Sequence, residues 1–583
     1  MGAGRLLPWV RSFVGLCVAL AAPHGLSARA QSSTQQTAAA DSLDLLHRAR
    51  EAQRDFERIR RANFPPRFDA GSDRCDERIG RYCYWYEPSA DSAPPEAEVV
   101  TRARERLLVD LTTAHGRLSG DDWITGQLVR YLAEHGRADS AIITARRCRA
   151  TRWWCDALEG LARHLAHDYQ TAEDAFGRAL QAMPEAQRCV WTDLTPLLGD
   201  GRRRYRALPC AERESVSARI WWLARPLYSR PGNDLLTEHY SRHTMGLLFE
   251  DAETPDGAPW GADRRELVVR FGWPTHWSRS FDRPDRPGPL PVLGYEPSPS
   301  FWLLPEPALA EPWADVTEVH WDPAMERPPA RYAPPYAEGF APIERVQFAR
   351  FHRRDTILTV AAFDLTPDSV FGGRPVDVRL AVARDPVTPV VIGRLSGARA
   401  HGVLAVRSAW PPAVLSLEAV GVSTPRVARR RAMTPPDPGG WPPVVSDILL
   451  LAPAEVLPES LETALPLALR APVVRIGQRV GLYWEIYDEP ESGAALEVAV
   501  TVMKARWRGD VAYPVGRPWC PSPVESPVRL RWREEPGARA RGHARAVTLD
   551  LQRLSQGRYV VTIQVSVAGQ PRGCSTREFR VWR

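Results

Sequence analysis

The sequence predicts a multidomain protein of the α + all-β class, with a helical N-terminal half, a mixed central segment and C-terminal β-sandwich domains. Three observations carry that reading. The chain has 583 residues, and at roughly 150 residues per domain this fills three or four domains. Apolar residues between positions 41 and 220 recur at helical spacing, whereas beyond position 343 short runs alternate with period two. The 54 prolines crowd after position 272, where a residue that lacks an N–H and clashes with the preceding turn disfavours long helices. Apolar content of 44% is ordinary, so sizeable cores can form.

Residues 1–30 read as a secretory signal. Arg5 and Arg11 supply the positive start, residues 13–22 are apolar, and Ala28-Arg29-Ala30 fits a small-x-small cleavage site. Ten apolar residues are too few to span a bilayer, which takes about 20, and no later stretch is long and apolar enough. The expectation is therefore export, to the periplasm or beyond the cell surface, with no transmembrane helix after cleavage. Leu16 stands where a lipoprotein would place a small residue, which argues against Cys17 as a lipid anchor.

The formal net charge is +6. Removing Arg5, Arg11 and Arg29 with the signal leaves 6 − 3 = +3. Two short basic runs stand out, 202–204 and 429–431. Neither makes the concentrated basic face that nucleic-acid binding needs, so that function class is set aside.

Without Cys17 eight cysteines remain: Cys75, Cys83, Cys148, Cys155, Cys189, Cys210, Cys520 and Cys574. An even count in an oxidising compartment points to disulfides. Sequence proximity favours the pairs 75–83, 148–155, 189–210 and 520–574. No CxxC pair and no zinc-finger histidine spacing competes with this reading.

Residues 41–62 place Leu43, Leu45, Leu46, Ala49 and Phe56 on one helical stripe, with Asp41 as the expected N-cap. Residues 75–95, with the aromatic run YCYWY, read as a loop pinned by its disulfide. Residues 96–114 are again helical. Residues 154–184 then place Gly160, Tyr169, Ala172, Phe176, Ala179 and Pro184 so that two antiparallel helices approach closely around Phe176. This resembles a tetratricopeptide repeat, and a looser copy precedes it at Trp123, Gly136 and Ala141. Ala141 and Ala172 lie 31 positions apart, near the usual period of about 34. Such repeats imply a groove for a protein partner.

The stretch 221–274 is the pivot of the chain. An apolar helix end around Trp222, Arg225 and Pro226 is followed by a second helix over 235–249, a turn region at 255–261 and an alternating run over 265–271 read as a strand. The order resembles the GWxTD-domain family of exported bacterial proteins. The matching residues are Trp222, Arg225 and Pro226, then Glu238, His239, Tyr240 and Arg242, then Trp260, Asp263, Arg264, Val268, Arg270, Phe271, Gly272 and Pro274. The sequence departs from the family pattern where Pro259-Trp260-Gly261-Ala262-Asp263 replaces G-W-x-T-D, and where the Asp of R-D-P is missing. The resemblance implies architecture and an exported address rather than a reaction.

The chemistry-bearing candidates lie in this stretch. Glu238, His239 and Asp263 are the residues an acid/base centre would use, and His239 and His243, four apart on one helix face, have the spacing of two metal ligands. The alternative is structural: Asp263 accepts turn N–H groups or pairs with an Arg, Gly272 takes a positive φ at the end of the strand, and the arginines pair with Glu238 and Glu266. No cofactor is implied.

From position 343 onward, short alternating runs separated by turns read as two β-sandwiches. The last, around Gly557-Arg558-Tyr559, resembles an immunoglobulin-like domain. The chain thus divides into a signal (1–30), a helix with a pinned loop (31–95), a tetratricopeptide-like domain (96–210), the GWxTD-like segment (211–275), a Pro-rich linker (276–342) and two sandwiches (343–470 and 471–583).

The function this favours is an exported, non-catalytic interaction or scaffolding protein of the bacterial envelope. A metal-assisted or acid/base hydrolase on the central segment is the first alternative. An envelope protein binding cell-wall glycan through some of its 21 tryptophans is the second. No GxSxG elbow, HExxH or phosphate loop is present, although carboxylate-based sites leave no local signature.

Overall fold

A computed structural model describes residues 25–67, 75–86, 94–199, 202–280, 292–296, 298–305, 326–398, 401–434, 444–487, 494–505, 528–534 and 544–583. The apolar run at 13–22, Cys17 and Cys520 lie outside the described residues.

Helices fill the N-terminal half: α1 (Gly25–Ala62), α2 (Glu98–Arg117), α3 (Asp122–Glu134), α4 (Ala138–Arg146), α5 (Arg152–Leu165), α6 (Tyr169–Ala182), α7 (Glu185–Trp191), α8 (Arg202–Arg206), α9 (Cys210–Ala224), α10 (Asp234–Glu250) and α11 (Ala262–Phe271). Local chemistry starts and joins several of them. Asp121 caps α3 by accepting from the Ile124 N–H at 2.8 Å, and Asn233 caps α10 by accepting from Leu236 N–H at 3.2 Å. At Gly160 on α5 a Cβ would stand 2.7 Å from the Phe176 ring, so only a glycine lets α6 come this close. Gly126 on α3 plays the same part for Leu248 of α10, whose side chain would lie 2.8 Å from an added Cβ.

Helix α10 lies across the hairpins α3–α4 and α5–α6. Its Tyr240, Met245, Leu248 and Phe249 share one buried core with Leu128, Trp154, Leu158 and Phe176. Tyr240 packs on Phe176 with ring centroids 5.5 Å apart and stacks on Trp191 at 6.2 Å. Two polar anchors fix its far end: Gln127 Nε2 donates to the Leu248 carbonyl at 2.8 Å, and Trp123 Nε1 to that of Asp251 at 2.6 Å.

Two sequence expectations are corrected here. Helix α1 does not start at Asp41 but at Gly25, because the Ala- and Gln-rich residues before Asp41 continue good helix formers. The run 265–271 is not a strand; it is the body of α11. Asp263 in its first turn, the Glu266–Arg270 pair at 3.2 Å and Gly272 just past its end are helix signals that outweigh the alternation. Gly272 does take a positive φ, +85°, but as the helix stop, with its N–H returning to the Val268 carbonyl.

The strands are β1 (Pro66–Arg67), β2 (Glu77–Ile79), β3 (Tyr82–Tyr84), β4 (His276–Ser280), β5 (Val292–Tyr295), β6 (Gly339–Pro342), β7 (Arg345–Arg353), β8 (Thr356–Asp364), β9 (Val376–Ala383), β10 (Val391–Ala398), β11 (His401–Ser408), β12 (Val414–Gly421), β13 (Arg426–Met433), β14 (Leu449–Leu451), β15 (Val473–Arg475), β16 (Arg479–Glu485), β17 (Leu496–Lys504), β18 (Val528–Glu534), β19 (Ala544–Asp550), β20 (Gly557–Val567) and β21 (Gln570–Trp582). The first large sheet runs β10-β9-β12-β13-β6 and faces the sheet β11-β8-β7. Phe348, Ala361 and Phe363 interleave with Val378, Leu380 and Leu417 between them. The β11-β8-β7 sheet is buried on its other face too, where Phe351 and Val360 meet Leu449, Leu451 and Tyr483. The sheets β14-β16-β19 and β15-β21-β20-β17-β18 enclose the last core, around Trp484, Val500 and Ile563. Within the Pro-rich stretch, Leu303, Leu304, Tyr332 and Phe340 are buried against Leu197, Trp221, Leu227 and Val427, so these described parts lie between helices and sheet.

Disulfides join Cys75–Cys83, Cys148–Cys155 and Cys189–Cys210, the local pairs that proximity favours. Cys574 is also disulfide-bonded. Among the described residues no helix is long and apolar enough to cross a membrane.

Candidate functional site

Glu238 sits at the centre of the polar residues in the central segment. It projects from α10, mostly buried, with both oxygens engaged: Oε2 accepts from His164 Nε2 at 2.8 Å and Oε1 from Arg242 Nε at 2.7 Å. His164 reaches it from α5 and places its other nitrogen 2.9 Å from Thr237 Oγ1. Arg242 spends the rest of its fork on main-chain oxygens: Nη1 donates to Arg270 at 2.9 Å and Val269 at 3.1 Å, and Nη2 to Arg331 at 2.7 Å. Burial alone would raise the Glu238 carboxyl, but the charge of Arg242 and the His164 hydrogen bond hold it down at about 2. It is an ionised acceptor without a proton to give; it joins α5 to α10, and through Arg242 the pair is tied to α11 and to the Arg331 carbonyl.

His239 is the next residue of the same helix. Its Nε2 donates to the Trp191 carbonyl at 2.9 Å, which leaves Nδ1 as a bare lone pair. Burial pushes its value down to about 4 against the raising effect of that carbonyl, so the ring is neutral. His243 is buried as well, with its ring 4.7 Å from that of His239 and 5.5 Å from Trp191. Among the described residues no carboxylate or thiolate joins these two histidines in a three-ligand group; the one such group is Cys189, Cys210 and Glu214, whose cysteines are spent in a disulfide.

Trp221, Leu235, Glu238, His239, Arg242 and Tyr332 line a cavity of about 20 Å³. That is room for a water, not a substrate. The indole N–H of Trp221 and Nδ1 of His239 are both buried without a protein partner, one a donor and the other an acceptor.

Asp263 does not line this cavity. It stands in the first turn of α11 beneath the β2–β3 hairpin, and accepts from Arg81 through Nε at 2.7 Å, Nη2 at 2.8 Å and the backbone N–H at 3.1 Å. It also accepts from Arg264 N–H at 2.9 Å. These donors, led by Arg81, pull its carboxyl well below the usual range. The hairpin is held along its whole length. Tyr84 stacks on Phe271 at 3.7 Å, Glu77 pairs with Arg270 at 2.6 Å, and Arg331 Nη1 donates to the Tyr86 carbonyl at 2.7 Å. The aromatic run is thus a clamp on α11. Trp260 packs beside it, 6.1 Å from Phe249, with Arg264 over its ring at 5.9 Å, and Pro274 lies against Gly294 of β5.

The end of α9 is docked on the first large sheet by charge. Glu418 of β12 is fully buried and accepts from the N–H groups of Tyr228 at 2.7 Å and Ser229 at 3.0 Å. Arg429 and Arg431 of β13 donate to the Pro226 carbonyl at 2.7 and 3.2 Å, and Arg431 also reaches the carbonyls of Leu223 and Arg225. Trp222 completes the joint, packed with Ala383, Val414 and Met433. A helix C-terminus leaves carbonyls without partners, and here two arginines from a strand supply the donors.

The structure therefore brings Glu238, His239, Tyr240, Arg242 and Gly272 into one buried region and leaves Asp263 and Arg264 at its rim, with Trp222 and Arg225 at the sheet. Sequence reasoning passed over His164, Arg81 and Glu418. Gly80 between two close cysteines signals a hairpin tip, but nothing local points to His164 or Glu418.

No protein-family model and no curated protein sequence matches the chain. Among solved structures, the crystal structure of red sea bream transglutaminase aligns at 8% identity with a TM-score of 0.13, over 41% of this chain and 32% of that one. At that TM-score, and over about a third of the other chain, the likeness carries no argument.

Proposed function

We propose that the protein is an exported, non-catalytic scaffolding or interaction component of a bacterial cell envelope. In this reading a GWxTD-like core joins a tetratricopeptide-like helical part to immunoglobulin-like sandwiches. The observation that carries the proposal is the state of Glu238: mostly buried, ionised and saturated by His164 and Arg242, it is built as a brace rather than an acid or base. The other two acid/base candidates are likewise committed, His239 to a carbonyl and Asp263 to Arg81.

The hairpin surface that such a repeat would offer to a partner is taken by α10 of the same chain. A partner is then directed to the outward faces, where Val109 of α2 and Ile143 of α4 are exposed. The described tryptophans are mostly core residues, among them Trp154, Trp191, Trp221 and Trp484, and this does not favour an aromatic platform for glycan.

The test is a pull-down of the mature, tagged, full-length protein from its own cell envelope, with cross-linking to map the contact. A reproducible protein partner supports the reading. Retention on purified cell-wall polysaccharide with no protein partner overturns it.

A further inference from the structure

The two arginine runs of the sequence have opposite fates. Arg429 and Arg431 are buried and spent on carbonyls, as described above. The run at 202–206 is exposed, and Arg202, Arg203 and Arg206 line a concavity of about 570 Å³ with Gly199 and Ala207. The volume is that of a small-molecule site, but an open and cationic one.

The support beneath it is rigid. Tyr205 points inward from α8 and is buried among Leu194, Leu197 and Leu198. Its hydroxyl donates to the Thr192 carbonyl at 3.2 Å and accepts from Leu194 N–H at 3.3 Å. Cys189–Cys210 closes the segment that carries α8. On the flanking segments Asp193 is paired with Arg213 at 2.8 Å and Glu214 with Arg188 at 2.9 Å. Among the described residues the side chains of Arg202, Arg203 and Arg206 have no ion pair. In sequence, positions 199–207 hold four arginines against the single acid Asp200.

We propose that this concavity binds a multiply charged phosphate group. A guanidinium donates a planar fork, and a phosphate, with three or more terminal oxygens, can accept from more forks at once than a carboxylate, which has two oxygens. Three exposed guanidiniums around one hollow, with no ion pair among the described residues, match the former.

The probes are pyrophosphate, inorganic phosphate, a poly-glutamate peptide, and phosphatidylcholine vesicles with and without phosphatidic acid. Each is titrated against the full-length mature protein and against the triple variant R202Q/R203Q/R206Q. These side chains are exposed, so the variant is expected to keep the wild-type melting temperature. The wild type should bind pyrophosphate at low ionic strength, less tightly as salt rises because exposed charges are screened. The triple variant should lose about tenfold or more in affinity, a difference of about 1.4 kcal/mol. Binding to phosphatidic acid vesicles that the variant loses would also support the proposal and assign the phosphate to a lipid headgroup. Equal binding by wild type and variant, preference for poly-glutamate, or no binding of any phosphate probe would overturn it.

Discussion

Arg81 and Asp263, 182 positions apart, meet in a three-donor grip: two guanidinium nitrogens at 2.7 and 2.8 Å and the backbone N–H of Arg81 at 3.1 Å. The grip requires the residue beside it. Gly80 has φ +56°, and a Cβ there would lie 2.4 Å from the Cβ of Asp263. Gly80→Ala combines a left-handed backbone with a collision and should cost more than about 1 kcal/mol. Chemical denaturation checks this; an unchanged midpoint would show that the hairpin docks without the close approach.

Asp263→Ala removes the acceptor while leaving the hairpin its disulfide. The hairpin should lift from α11 and its backbone loosen around the already exposed Arg78 and Arg81, so limited trypsin digestion should cut there faster than in the wild type. The two pieces should stay joined by Cys75–Cys83 until reduced. A digestion pattern equal to wild type would contradict the assignment of Asp263 to this dock.

Stability should fall with acid in two steps. The unfolded chain takes up a proton on a histidine near 6.5, whereas folded His239 resists until about 4. It does so on a carboxylate near 4.5, whereas folded Glu238 resists until about 2. In both intervals the unfolded state binds more protons, so each contribution is complete above the upper value and lost as pH drops to the lower. Each is on the order of 3 kcal/mol. His239→Gln should flatten the loss between pH 6.5 and 4, read from denaturation midpoints across that range.

Glu418→Gln places an amide N–H group against the N–H groups of Tyr228 and Ser229 and removes a negative charge that acts on Arg431. Breaking a buried charged contact of this kind costs about 3–5 kcal/mol. Calorimetry should show a lower melting temperature, and a value within a degree or so of wild type would show that the joint is held by Trp222 packing alone.

Phe176→Ala should cost about 3–5 kcal/mol, because it empties the seat shared by Gly160 and Tyr240. A cost under about 1 kcal/mol by chemical denaturation would mean that α5, α6 and α10 do not share one core.

What was legible in the sequence was local. Period two marked most of the strands from β8 to β21, the 3.6-residue spacing marked the main helices, and sequence proximity marked three disulfides. Residues 265–271 misled because their alternation is also one face of a short helix, and the deciding evidence lies at its ends, in Asp263 and Gly272. The long-range polar contacts were not legible, since Tyr228 and Glu418 are 190 positions apart and His164 and Thr237 73. Nor does a run of arginines reveal its environment. Positions 429–431 alternate in a strand between sheet and helix, while 202–206 circle an exposed turn of helix.

The most direct test of the account is Glu238→Gln at neutral pH, measuring melting temperature and capture of envelope proteins on the same sample. A brace predicts a loss of about 3–5 kcal/mol in stability, with capture intact in the fraction that stays folded. A variant that melts like the wild type but loses its capture, or loses a hydrolytic activity that the wild type has, would contradict the account and return Glu238 to the role of a functional acid or base.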